Sequence, residues 1–309
     1  MSQFQENGIR LEGQLVKLAS QNPKAGWLLT EYRSTEKHAN TALQYILQYS
    51  SRRGYNLPQT VRLETQPTAF MNAYAARDSI DMPLIYVNAG LRFFLVMLNY
   101  SLARAIFQDT VLGGRSMNAI LFTIVNGYWP PEVDLLSEIE TMGEFSADEL
   151  HFITAWIPSQ IFFVVAHEFA QHFIWYSQRN SPQTQIVRLP TGKEIKTYTP
   201  SEKDELSVDA IAFDVWNELD LTLSTGFQAF TAGGLGALFG YFRILEEYAE
   251  IRPAPSDPYP PAAHRYGRIN AWLSDTERVH SLQAMEETWA VAEIVTKSCL
   301  EAKELLKGQ

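Results

Sequence analysis

The sequence predicts an α+β fold, mainly helical, in a single domain spanning residues 1–309. Three observations lead to it. Apolar residues recur at helical spacing over most of the chain, as in Ile9, Leu11, Leu15, Val16 and Leu18 and again in Leu43, Ile46 and Leu47. Only two short runs, TVRLETQ at 60–66 and LIYVNA at 84–89, read plainly as strands. No internal repeat and no long linker divides the chain.

Taken in order, residues 4–50 read as helical, and the strands follow, separated by a segment whose turn ends at Pro83. Gly90 opens a long apolar helix, LRFFLVMLNYSLARAIF. Residues 109–147 are less regular and read as a lid or insertion. A second long helix starts after the cap Ser146 and runs over about 148–178, with Pro158 expected to kink or split it. The run LPTGKEIKTYTP suits a small hairpin, and Ser201 caps a third helix, SEKDELSVDAIAFDVWNEL. An apolar helix at 221–245, a Pro-rich segment and a C-terminal helix complete the chain.

With 46% hydrophobic and 19% charged residues, the chain has the composition of an ordinary globular protein. A formal net charge of −10 argues against nucleic acid as a partner, because phosphate contacts need a basic face. The single cysteine, Cys299, excludes an intramolecular disulfide and a Cys-based zinc finger. It points to a reducing compartment, and a cytoplasmic location is expected. The first twenty residues lack the basic and apolar regions of a signal peptide. The uncharged stretch 221–242 is about long enough to span a bilayer, but its Gly, Ala, Thr and Ser content suits a helix packed tightly in a core.

The chemistry concentrates in VVAHEFAQHFIW, residues 164–175. His167 and Glu168 begin an H-E-x-x-H zinc motif, but position 171 is Gln and the second histidine is His172. At about 100° per residue, side chains at i and i+5 stand roughly 140° apart on a regular helix. Two geometries are open. A π-bulge would absorb the extra residue and bring His172 to the ion. A regular helix would instead turn Gln171 to the site and His172 elsewhere. Zn2+ held by His167, His172 and Glu205 is the metal reading, with Glu168 activating water. Asp209, four residues after Glu205 on the same helix face, would accept a ligand histidine's N–H.

Four segments in order carry a resemblance: MNAYAA at 71–76, LIYVNAGLRFFL at 84–95, HEFAQH at 167–172 and ELSVDA at 205–210. With YPPAAHR at 259–265, they resemble the gluzincin metallopeptidases of the minimal (minigluzincin) kind, and most nearly the Lit phage-exclusion peptidase group. The likeness covers residues 60–270 as a peptidase core. Residues 1–59 remain as a helical extension and 271–309 as a C-terminal helix. The H-E-x-x-x-H spacing is similar to that of the dipeptidyl peptidase III family, which favours His172 over Gln171 as the ligand.

The resemblance implies a small sheet packed on a zinc-binding helix pair and a zinc endopeptidase activity on a protein or peptide substrate. Glu168 would be the general base, and Tyr259 and Arg265 would stabilise the oxyanion, with His264 a weaker candidate beside them. Asn72 and Ala73 would contact the substrate main chain, and the strand at 84–88 would be the edge that receives it. A cytoplasmic target, a phage-defence role and an activating protein partner also follow from the Lit likeness. The rival expectation is a pseudoprotease, a binding or regulatory protein on the same fold.

Overall fold

Residues 26–53, 61–66, 72–108, 146–177, 184–188, 194–198, 200–248 and 260–307, with a few more within 13–20 and 117–121, are described by the computed structural model. Their elements run α1 (Gly26–Arg53), β1 (Arg62–Gln66), β2 (Ala73–Arg77), β3 (Pro83–Asn88), α2 (Ala89–Phe107) and α3 (Ala147–Ser177). There follow β4 (Thr184–Arg188), β5 (Glu194–Tyr198), α4 (Glu202–Asp220), α5 (Thr225–Tyr248), α6 (Ala262–Ser274) and α7 (Val279–Lys307). The mainly helical α+β architecture holds. The 109–145 insertion and Tyr259 lie almost wholly outside the described residues.

Helix α3 is the axis of the molecule. Its start is fixed by a capping box: Ser146 Oγ accepts the Glu149 N–H at 3.2 Å, and Glu149 Oε2 accepts the Ser146 N–H at 2.6 Å. Pro158 neither splits the helix nor ends it. A mid-helix proline costs about 3 kcal/mol. Around it Ile153, Trp156, Ile157, Ile161 and Phe163 are fully buried, each contributing about 1.5–3 kcal/mol. Burial therefore outweighs the proline. The turn is also pinned from outside, because Ser159 donates to the Thr231 carbonyl at 2.8 Å and accepts from the Trp216 indole at 3.0 Å.

The sheet order is β1-β3-β2-β5-β4, with β1 parallel to β3 and the other pairs antiparallel. Strand β3 is buried along its whole length and paired on both sides, so the 84–88 strand is central, not the edge expected from the sequence. Ile85 and Val87 join the main core on the helical side, while Leu84 and Tyr86 meet Ala76 and Ile195 on the other face. On the second side of β2, only Ala76 and Arg77 pair with β5. Among the described residues, nothing pairs there with Ala73, Tyr74 and Ala75.

Residues 26–53 are not peripheral, since Leu28, Tyr32, Ile46 and Tyr49 belong to the main core. Arg92 of α2 ties this helix to the sheet, donating to Thr35 Oγ1, Thr65 Oγ1 and the Tyr32 carbonyl. The Gly-rich stretch of α5 packs backbone against backbone. A Cβ at Gly236 would stand 2.4 Å from the Met285 carbonyl oxygen of α7, and Gly234 lies against Trp156 of α3. Helices α2 and α3 are long and apolar enough to cross a membrane, and 89% and 72% of their most apolar windows are buried inside the molecule. The expected single C-terminal helix is two, α6 and α7, joined by a turn with Glu277 at φ 59°.

Candidate metal centre

The site forms where α3 crosses α4 beneath the end of β2. Helix α4 opens with its own capping box, Ser201 Oγ accepting from the Asp204 N–H at 3.2 Å and Asp204 Oδ2 from the Ser201 N–H at 3.0 Å. This fixes the helix one turn before Glu205. Residues four apart lie on one helix face, so α3 presents His167 and Gln171 together and α4 presents Glu205 and Asp209 together. All four are buried.

His167 is held at both nitrogens. Its Nδ1 donates to Asp209 Oδ1 at 3.0 Å, which aims Nε2 at Glu205 Oε2, 3.3 Å away. Gln171 completes the triangle, its amide nitrogen 3.2 Å from His167 Nε2 and 3.4 Å from Glu205 Oε1. Burial opposes a charge on His167, but the Glu205 and Asp209 carboxylates prevail and push its pKa up to about 10. In the absence of another cation, a proton on Nε2 balances the carboxylates.

Asp209 is fixed in turn by a two-pronged ion pair. Arg265 Nε donates to Oδ2 at 2.8 Å and Nη2 to Oδ1 at 2.7 Å. The guanidinium also lies over the rings of Phe239 and Phe242, at 5.6 and 5.7 Å. Burial resists Asp209's charge, but Arg265 and His167 hold its pKa well below the usual carboxylate range. Arg265 therefore stands behind His167, and two of its nitrogens are committed to Asp209. In this arrangement Arg265 braces Asp209, whereas an oxyanion role was expected for it.

Glu168 lies next to this cluster. The Ala75 backbone N–H reaches its carboxylate, and Oε2 has no hydrogen-bond partner. Burial, opposed chiefly by His167, pushes its pKa up to about 7. That Ala75 points toward Glu168 follows from the register. Asn88 N–H donates to the Asn72 carbonyl, so residues 72, 74 and 76 bond β3 and residues 73 and 75 turn the other way. Asn72 is exposed and Ala73 half-buried at this unpaired edge.

His172 is not in the site. Helix α3 is α-helical throughout, with no π-bulge at 167–172, so five residues turn the ring away from His167. The His172 imidazole Nε2 donates to the Leu84 carbonyl at 2.8 Å, and the ring stacks on Trp175 at 5.9 Å. Burial lowers its pKa to about 4, so it is a neutral core histidine. The metal role expected for it is corrected accordingly. Gln171 is the residue that sequence reasoning underrated, although plain i+4 spacing identifies it.

Among the described residues, no three of His, Cys, Asp and Glu converge as a metal site. The third corner of the triangle is a carboxamide. The pair that could hold a divalent ion is His167 and Glu205, whose Nε2 and Oε2 stand 3.3 Å apart, the donor spacing around a metal. For metal–ligand bonds of about 2.0–2.1 Å, tetrahedral geometry places neighbouring donors roughly 3.3–3.4 Å apart. No family model, no curated protein and no solved structure matches the chain. The gluzincin likeness rests on its motifs alone.

Proposed function

We propose that the protein is a zinc-dependent peptidase of the minigluzincin kind, hydrolysing peptide bonds of a protein or peptide substrate. One observation carries this reading: Asp209 fixes His167 so that Nε2 faces the buried Glu205 carboxylate 3.3 Å away, with the Glu168 carboxylate alongside. His167 and Glu205 would hold the ion. A bound Zn2+ supplies Lewis acidity and lowers the pKa of a coordinated water.

The remaining chemistry falls to this chain's own groups. Glu168 is placed to accept a proton from the attacking water and to pass it to the leaving amine nitrogen. A carboxylate with a pKa near 7 suits both transfers at neutral pH. Asp209 keeps the His167 proton on Nδ1, and Arg265 keeps Asp209 ionised. Ala73, with its N–H and C=O turned outward, and Asn72 beside it are placed to pair with an extended peptide by strand addition. The receiving edge is thus β2, not β3. The Lit likeness would extend the reading to a cytoplasmic target, phage defence and an activating partner.

The test is a peptide digest of broad sequence coverage, read by mass spectrometry with zinc supplied. Cleavage that a chelator abolishes and that Glu168→Gln lacks would support the reading. An intact digest under all conditions would refute it. A second reading is favoured by Gln171, a neutral amide that fills the third corner beside His167 and Glu205. In that case the chain is a pseudoprotease that binds peptides without cutting them, and it would retain peptide at the β2 edge with no metal present.

A further inference from the structure

We propose that the cavity between α1, α3, α4 and α5 binds a small uncharged aromatic molecule, a two-ring system with one hydrogen-bonding group that meets His38. Ser159, in the wall of this cavity, is eight residues before His167, about 12 Å along α3. The inference therefore stands apart from the peptidase reading.

The space follows from side-chain size. Ala155, Pro158, Ser159 and Phe162 share one face of α3 by helical spacing, and Ala42 of α1 and Trp216 of α4 line the hollow with them. The short side chains of Ala42, Ala155 and Ser159 leave the middle of this face unfilled. Bulk returns at either end. Toward the C-terminal end of α3, Phe162 meets Tyr45 edge to face at 5.8 Å. Toward the N-terminal end, Phe227 lies against His151 and is 38% exposed, so the hollow opens to solvent there. About 240 Å³ remains between them. Native interiors are close-packed, with few voids larger than a water molecule. Pockets of this kind, apolar with a few polar groups and set between helices, are the usual form of a small-molecule site.

The lining selects the chemistry of the occupant. Its buried polar groups partner one another: Ser159 donates to the Thr231 carbonyl and accepts from the Trp216 indole. The Asp220 carboxylate accepts from the Thr231 hydroxyl and from Arg278, so its charge is matched within the protein. A charged ligand would lose its hydration there without gaining a counter-charge. Trp216, Phe162 and Pro158 present flat apolar walls that suit a planar ring. His38, on the α1 wall, is half-buried, and its ring has no hydrogen-bond partner among the described residues. Burial, with Lys37 beside it, lowers the His38 pKa, so at pH 7 the neutral ring carries one donor and one acceptor nitrogen. Size follows from volume. A dry apolar cavity of about 150 Å³ holds benzene, so this one has room for two fused rings.

The experiment is calorimetric titration of the full-length protein at pH 7 with 2-naphthol, which is uncharged and carries one hydroxyl, and with 2-naphthoate, its charged counterpart. Wild type is compared with Ala155→Leu and Ala42→Leu, which fill the hollow, and with His38→Phe. Each variant is checked for an unchanged circular dichroism spectrum. Wild type should bind one 2-naphthol per chain with Kd on the order of 0.1 mM, reasonable for a ligand of this size, and 2-naphthoate more weakly. Either leucine should weaken 2-naphthol at least about tenfold by occupying its volume. His38→Phe should weaken it roughly two- to tenfold, the weight of one hydrogen bond.

No saturable binding of 2-naphthol to wild type would overturn the proposal. So would binding indifferent to the leucine variants, which would place the molecule elsewhere, or tighter binding of 2-naphthoate, which would contradict an uncharged occupant. If neither leucine variant folds, the surface substitution His38→Phe still decides, because undiminished affinity there would remove His38 from the site.

Discussion

His167 and His172 are five residues apart on one helix, and both are buried. One sits among three carboxylates, with its pKa pushed up to about 10; the other lies against Trp175 and a strand carbonyl, with its pKa lowered to about 4. The difference is angular. The sector of α3 facing α4 meets Glu205 and Asp209, with Arg265 behind Asp209, and the sector facing the sheet meets the Leu84 carbonyl. Residue type alone does not make a ligand. The charges opposite the ring decide.

Substitutions can break or sharpen this contrast. The largest effect is expected at Glu168, on the charged side. Glu168→Gln should lower kcat for peptide cleavage by roughly 10²–10⁴-fold, the usual weight of a general acid–base group, while leaving zinc uptake in place. Steady-state kinetics beside metal analysis separates the two. A variant equally active would remove Glu168 from the chemistry.

Next comes the brace behind His167. Arg265→Met leaves the buried Asp209 carboxylate without its bidentate partner. Losing one member of a buried pair typically costs about 3–5 kcal/mol, to be read from the denaturant midpoint. The same variant should also weaken zinc binding, because Asp209 no longer fixes His167 firmly. Unchanged stability would show that the pair is dispensable.

On the opposite side the expectation inverts. His172→Ala removes a buried hydrogen bond to the Leu84 carbonyl and should cost about 1–3 kcal/mol of stability. Its zinc content should equal that of wild type. Zinc lost from a folded His172→Ala would restore His172 as a ligand and contradict the regular helix.

The smallest effect is a pH dependence. An unfolded His172 takes up a proton near pH 6.5, the folded one only near pH 4. Between these values the unfolded state binds more protons, so stability falls as pH drops from about 6.5 toward 4. Midpoints measured at pH 7 and 5 for wild type and His172→Phe should differ in slope, the variant losing this contribution. Equal slopes would mean that the His172 ring is protonated normally in the fold.

Much of this was legible from the chain. The starts of α3 and α4 could be read from Ser146 and Ser201, because a cap is a local hydrogen-bond arrangement within three residues. The shared face of Glu205 and Asp209 followed from helical geometry. The edge strand did not. LIYVN has the apolar run of a strand, but whether one side of it is open depends on where β1 and β2 settle. The pairing of Arg265 with Asp209 was hidden for a related reason, since the two are 56 residues apart in sequence.

The sequence by itself determined most of the helices, the caps of α3 and α4, the i and i+4 pairings, and the angle of roughly 140° between His167 and His172 on a regular helix. It could not determine which of them faces the carboxylates. Helix α3 is buried on nearly every side from Ile153 to Trp175, so no polar stripe marks an outward direction. Only the packing of α4 on one flank and the sheet on the other chose the sector. That choice put Gln171 beside Glu205 and left His172 in the core.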